Sequence, residues 1–386
     1  MPGAEAAKDH QLAKGERVRT YAASPGFLGG FESDIRVKRA ALGGSMAPIR
    51  DEYVKYLIVS PLNQTQTYMG EHHTGLSHDQ VNRFMREQKL RPRHLWQAVR
   101  GDVVASEAGY LLFDDTVINK ERSKKIEMAQ VQYSGNTHGL VLGISVVNCV
   151  YYNPETNQFW VIDYRIYDPQ TDGRDKLQHM EDMLRHTVEL KQLPFRGVLM
   201  DTWYATNHLM QVIDGLGKYF YCPIRVNRSV HQGVHWTQPQ HLDWDADALQ
   251  HGHAVRLKKL AKSVRVRLHR QATVTGTGGV TYTYLVTNDI HLPSETVIQR
   301  AGFRWKVEEL HRETKQLTAL ERCQCRKARA QRNHIACANL AWVILKRAAY
   351  ALKTTVYQLK EKLLSDYITY ALNNPLALVT PHTPAA

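Results

Sequence analysis

The sequence predicts a mixed α/β protein: a mixed sheet flanked by helices, with a β-rich insertion and helical regions at both ends of the chain. Three observations carry this. Three apolar, β-branched or aromatic runs, GYLLFDDTVI, GLVLGISVVNCVYY and QFWVIDYRIY, succeed one another between residues 109 and 167. From 176 to 226 the pattern turns to helix, strand, helix, strand. After a basic stretch poor in helical periodicity, RWKVEELHRETK (Arg304–Lys315) restores it.

Residues 1–45 mix Gly, Ala, Lys and Arg without sustained period and are expected to be a disordered lead. Residues 46–105 are expected to be helical. DEYVKYLIV is one short apolar segment, and Ser77 with Gln80 forms a capping-box pattern before Val81, Phe84 and Met85, which share a helix face. Arg86, Lys89, Arg91, Arg93 and Arg100 make this region basic, which suits either DNA contact or a solvated helical face.

Residues 106–227 form the first part of the core. The long polar connector ERSKKIEMAQVQYSGNTHG and the short NPETNQ join the three strands as an antiparallel meander. Leu177, Met180, Leu184 and Val188 recur at helical spacing. FRGVLMD then reads as a strand, ATNHLMQVIDGLG as a helix closed by glycine, and KYFYCPIRV as a strand. The order β-β-β-α-β-α-β matches the ribonuclease H-like plan.

Residues 228–295 are expected to be a β-rich basic insertion on the surface. HQGVHWTQPQHLDWDAD reads as loop, and its histidines, with His251 and His253, as loop residues and not ligands. VRLKKLAKSVRVRLHR (255–270) carries seven Lys/Arg and no acid, and reads as a basic strand. QATVTGTGGVTYTYLVTND reads as a hairpin turning near Gly276–Gly279. Residues 296–350 complete the core with the Glu308 helix and a basic helix, and 351–386 form a helical tail with a frayed end. RCQCRKARAQR is read as one helix with the apolar CANLAWVILKRAAYAL. Cys323, Cys325, His334 and Cys337 would then lie along it, which argues against zinc.

The 386 residues carry 50 Lys+Arg against 37 Asp+Glu, a net charge of +13, which points to a polyanionic partner and first of all to nucleic acid. Five cysteines, an odd number in apolar or helical contexts, suggest reduced thiols and a cytoplasmic protein. No apolar run reaches the roughly 18–20 residues of a membrane helix, so no membrane partner is expected.

On an α-helix, Arg304, Glu308 and Lys315 fall within about 40° of one another. Alone, such a stripe is a solvated face laced by i,i+4 pairs. Upstream carboxylates change its meaning. Asp114, with Asp115 beside it, follows the apolar LLF, and Asp201 ends the strand VLM. Together with Glu308 they suit Mg2+, and two such ions about 4 Å apart can clamp an in-line phosphoryl displacement. Arg304 and Lys315 would face the phosphates.

FDDT (113–116), LMDTWYA (199–205) and RWKVEELHRETK resemble the three acidic motifs of bacterial insertion-sequence DDE transposases. The third motif of that family runs Tyr, two residues, Arg, three, Glu, six, Lys, and Arg304, Glu308 and Lys315 keep its spacing. The resemblance spans roughly residues 50–350. It implies a ribonuclease H-like catalytic core with a β insertion, and Asp114, Asp201 and Glu308 as the catalytic and metal-binding residues with two Mg2+ (or Mn2+) ions. The reaction implied is excision and integration of an insertion sequence by strand cleavage and 3′-hydroxyl strand transfer, with a DNA-hairpin intermediate. Its partners would be terminal inverted repeats, target DNA and a second copy of the chain in the synaptic complex, at a bacterial nucleoid.

Trp203 and Trp305, beside two of the acids, are either base-stacking platforms or core aromatics. Lys258, Lys259, Arg265, Arg267, Arg326 and Arg329 are expected on the DNA backbone. The signature tyrosine falls on Ala301, so the phosphate contact it makes in that family, on which the hairpin step draws, is either absent here or supplied elsewhere, with Tyr282 or Tyr284 as substitutes. For the first acid, the family's pattern of an apolar strand followed by the acid implies Asp114 over Asp115. Two rival readings remain: a ribonuclease H-like nuclease or junction resolvase, and a domesticated DNA-binding protein with an idle site.

Overall fold

The computed structural model describes residues 47–60, 64–123, 125–135, 139–233 and 235–373. The expectations of a disordered lead over 1–45 and a frayed end after 373 lie outside the described residues. Four helices open the described chain: α1 (Ala47–Val59), α2 (Gln66–His72), α3 (His78–Glu87) and α4 (Pro92–Val99). Then come β1 (Tyr110–Asn119), β2 (Gln130–Ser134), β3 (Gly139–Asn153), β4 (Gln158–Ile166), the single turn α5 (Pro169–Asp172), α6 (Lys176–Glu189), β5 (Gly197–Met200), α7 (Asn207–Gly215) and β6 (Tyr219–Ile224). The next stretch holds β7 (Val230–Gln232), β8 (His235–Thr237), α8 (Ala246–His251), β9 (His253–Leu257), β10 (Val266–Val274) and β11 (Val280–Thr287). Last are α9 (Ser294–Gly302), α10 (Trp305–Leu317), α11 (Ala328–Ala351) and α12 (Val356–Asn373).

The centre of the sheet runs β4-β3-β1-β5-β6. β1 is antiparallel to β3 and parallel to β5, which is parallel to β6. This is the ribonuclease H-like order expected from the sequence. β5 contributes four residues, GVLM, all buried, as a short parallel strand covered on both faces must be. β3 is the spine. One edge pairs with β1, while the other pairs first with β2 and then with β4.

Several expectations need correcting. The polar connector after β1 contains a strand, β2, held in register by β3. The basic segment 255–270 is two strands, β9 and β10, joined by an exposed loop. HQGVHWTQPQHLDWDAD is not loop throughout, since it holds β7 and β8, and His253 is a buried residue of β9. The insertion is not merely a surface addition. β11 pairs antiparallel with β6, so β10 and β9 extend the central sheet. The hairpin turn falls at Thr275–Gly279, as the glycines predict. RCQCRKARAQR is helical only from Ala328, so Cys323 and Cys325 lie in the connector before α11.

The N-terminal helices are packed onto α11. α3 starts with the Ser77–Gln80 capping box, and its Val81, Phe84 and Met85 are fully buried. Each such burial contributes about 1.5–3 kcal/mol. At the seam, Tyr53 of α1 meets His334 of α11: the phenol oxygen is 2.9 Å from Nδ1, while Nε2 is 2.9 Å from the Ala319 carbonyl. The carbonyl can only accept, so Nε2 carries the proton and Nδ1 takes the Tyr53 hydroxyl. Burial, then the charge of Lys120, pulls His334 down to about 4.

Between the ordinary 6.5 and about 4 the unfolded chain binds a proton at His334 that the folded chain does not. Stability is therefore complete above this window and lost as pH falls through it. From pH 7 to pH 5 the wild type should lose about 2 kcal/mol more than His334→Gln does. Urea midpoints at the two pH values measure this, and equal losses would contradict it.

Candidate active site

Adjacent residues on β1 point to opposite faces of the sheet, so Asp114 and Asp115 part company. Asp114 faces α10. Asp115 faces the other way, where its Oδ2 accepts from Lys176 Nζ (2.7 Å) and Ser145 Oγ (2.9 Å) and its Oδ1 from the Tyr204 hydroxyl (3.0 Å). Asp201 follows β5 directly. Its Oδ1 accepts the backbone N–H groups of Trp203 and Tyr204, both at 3.0 Å, in a turn that lifts the chain off the strand end. Glu308 lies in the first turn of α10, and α10 packs on β1 and β3.

Arg304 joins these acids. One guanidinium nitrogen, Nη1, donates to Asp114 Oδ2 at 2.7 Å and to Glu308 Oε1 at 3.2 Å. The Arg304–Glu308 contact is the i,i+4 pair of the helix stripe, whereas the contact with Asp114 links α10 to β1 and has no local signal in the sequence. Sequence reasoning passes over His311, one turn beyond Glu308. His311 is buried, and its Nε2 is 3.1 Å from Asn148 Nδ2, on the β3 residue paired with Asp114. An i,i+3 step on the Glu308 face was the available signal. Ligand atoms of Asp114, Glu308 and His311 lie within 4.8 Å of one another, the one such group among the described residues.

The electrostatics match this crowding. Burial, then the Asp201 carboxylate, pushes Asp114 well above the usual carboxylate range, with Arg304 opposing. Burial also raises Asp201, against the Tyr204 N–H. His311 is pulled down to about 4, chiefly by burial, so the imidazole is neutral near pH 7. Half-buried carboxylates that repel one another are relieved by positive charge between them. Arg304 supplies part of it. Hard oxygen donors at this spacing, with a neutral imidazole beside them, fit a divalent cation.

The remaining assignments fall in different places. Lys315 Nζ donates to the Val117 carbonyl at 2.8 Å and lies 3.0 Å from Glu321, bracing α10 on the end of β1. Trp203 and Trp305 are surface residues, 45% and 59% exposed, and not core aromatics. Lys258, Lys259 and Arg265 are exposed on the β9–β10 connection, and Arg267 Nη1 donates to the His251 carbonyl. Arg326 is exposed just before α11, and Arg329 is half-buried in its first turn. Ala301 is half-buried in α9. Of its suggested substitutes, Tyr284 is buried against Trp244, whereas Tyr282 is exposed with the Arg270 guanidinium 4.8 Å from its ring. Cys323, Cys325, His334 and Cys337 form no ligand group among the described residues.

Residues 107–344 match a family model described as "Transposase DDE domain". Comparison with curated proteins returns no match. Among solved structures, a cryo-EM structure of a piggyBac transposase synaptic complex with hairpin DNA aligns with 91% of this chain and 78% of that chain, at 13% identity and a TM-score of 0.42. A likeness that distant carries no functional argument.

Proposed function

The chain belongs to the transposase DDE-domain family, and on that premise we propose that this DNA transposase excises and inserts an element by hydrolysis and transesterification at Asp114, Asp201 and Glu308. One observation carries the assignment. These carboxylates come from β1, the end of β5 and α10, and two of them share the Arg304 guanidinium. The same convergence favours Asp114 over Asp115 as the first acid.

Asp114, Asp201 and Glu308 would hold two Mg2+ or Mn2+ ions. Bound there, such ions lower the pKa of the attacking water and stabilise the departing 3′-oxygen. Cleavage of the phosphodiester frees a 3′-hydroxyl at the element end. That hydroxyl then displaces a 3′-oxygen in target DNA, so each step breaks one P–O bond and makes one. Arg304 offers a forked donor to a non-bridging phosphate oxygen once its hold on the acids is relaxed. Lys315 would have to leave Val117 and Glu321 to do the same. Trp203 and Trp305, both exposed, offer faces for stacking, and Lys258, Lys259, Arg265, Arg326 and Arg329 offer charge along the duplex. Two copies acting on two element ends, in a bacterial cytoplasm, complete the proposal.

Strand transfer from a pre-cleaved element end into plasmid DNA, with and without EDTA, tests it. Metal-dependent joined product is the expected result. Cleavage without joining would support a nuclease or resolvase, and binding without either would support an idle DNA-binding protein.

A further inference from the structure

The second aspartate of FDDT takes no part in the reaction just described, yet it is among the most elaborately held side chains near it. Asp115 accepts Lys176, Ser145 and Tyr204 at 2.7, 2.9 and 3.0 Å. Tyr204 is wholly buried and makes a second bond, from its backbone N–H to Asp201 Oδ1 at 3.0 Å. The Asp115 backbone N–H in turn donates to Asp114 Oδ1 at 2.8 Å. A continuous path therefore runs from Asp114 through Asp115 and Tyr204 to Asp201, tying β1 to the loop after β5. We propose that Asp115 and Tyr204 are positioning residues that fix the direction of the Asp201 carboxylate relative to Asp114, so that it can turn its free oxygen to a divalent cation held at Asp114 and Glu308. This rests on the reading of Asp114 and Asp201 as metal ligands.

The physical case is one of constraint. Asp201 lies one residue beyond the end of β5, where the chain turns and its backbone carbonyl accepts the Ala205 N–H at 3.1 Å. Its one oxygen committed to Trp203 and Tyr204 leaves the other to point elsewhere. The direction depends on where residues 203 and 204 sit, and Tyr204 is pinned by its hydroxyl. Asp115 is a firm anchor because Lys176, at the first turn of α6, neutralises it. Lys176 Nζ also lies 5.8 Å from the Trp203 ring and 5.6 Å from that of Tyr167, so the same ammonium braces the neighbouring residue. Groups that orient metal ligands in this way typically alter metal affinity 10–100-fold when removed.

Mn2+ titration of the full-length protein without DNA, read from loss of the free-ion electron paramagnetic resonance signal, tests the tether apart from catalysis. Tyr204→Phe keeps the ring and loses only the hydroxyl. It should weaken Mn2+ binding about tenfold or more, while the metal-free melting temperature stays near wild type and cleavage recovers at saturating Mn2+. Asp115→Asn, still able to accept from Tyr204, should bind more tightly than Asp115→Ala. Unchanged Mn2+ affinity in Tyr204→Phe would overturn the proposal. So would a loss of affinity matched by a fall in metal-free melting, which would mark a purely structural role. If Asp114→Asn binds Mn2+ as well as wild type, the metal reading itself fails. If Asp114→Asn loses binding and Tyr204→Phe does not, only the tether fails.

Discussion

Asp114→Asn is expected to reduce strand cleavage at least ~10³-fold, about 4 kcal/mol of barrier, while making the protein no less stable and measurably harder to melt. The carboxylate is half-buried beside Asp201 and Glu308, and its folded-state pKa is raised above that of the unfolded chain. A raised carboxylate destabilises the fold at neutral pH, where the charged form is forced to persist, and an uncharged isostere removes that cost. Arg304 keeps Glu308 as a partner and an amide oxygen in place of Oδ2. Asp115→Asn should do the reverse. It strips Lys176 of its counter-ion and lowers the melting temperature, and at saturating metal it should keep cleavage within about tenfold of wild type, in line with the tether. Paired cleavage assays and thermal melts of the two variants decide the question. Robust cleavage by Asp114→Asn would remove Asp114 from the catalytic set, whatever its stability.

What was legible in the sequence divides by range. The Ser77–Gln80 capping box, the turn at Gly276–Gly279 and the periodicity of α6 are local, and the structure has them where the residues indicate. Asp114, Asp201 and Glu308 stand where the strand and helix patterns place them, on β1, just after β5 and in the first turn of α10. Pairings between distant strands were not. β2 exposes Val131 and Tyr133, so its composition reads as a polar connector, and only β3 makes it a strand. The β6–β11 pairing joins residues some sixty positions apart, and no local pattern announces it. The connector through Cys323 has the composition of a helix, but Ala319 adopts a left-handed conformation (φ 59°). Lys120 donates to the carbonyls of Glu321 and Cys323, and Gln331 to those of Cys323 and Cys325. Tertiary hydrogen bonds there replace the helical ones. Arg304 shows the same limit: its spacing on the helix is visible in the sequence, but not how near it stands to Asp114, 190 positions away.

Lys346→Met should cost about 3–5 kcal/mol of folding stability, because it strands a charge inside the protein. Lys346 and Glu313 are 5% and 2% exposed, on α11 and α10. The ammonium is 3.2 Å from Glu313 Oε1 and 3.0 Å from Glu309 Oε1, and lies 4.0 Å from the centre of the Phe159 ring. Trp342 Nε1 donates to Glu313 Oε2 at 2.7 Å. Burial pushes Glu313 upward even with Lys346 beside it. Without that ammonium only an indole N–H opposes the penalty. Glu313→Gln should be milder, since the amide oxygen can still accept from Trp342 and Lys346 keeps Glu309. The double variant should therefore recover much of what Lys346→Met loses, a coupling that urea denaturation of all four proteins would expose as non-additivity. Additive losses would mean that the pair is not a unit. The consequence reaches the chemistry because Glu309 and Glu313 share α10 with Glu308. Loosening the α10–α11 contact frees the helix that presents the third acid. Hydrogen exchange in Lys346→Met should then accelerate in α10 before it does in β1 or β3, and cleavage should fall further than the fraction of unfolded protein accounts for.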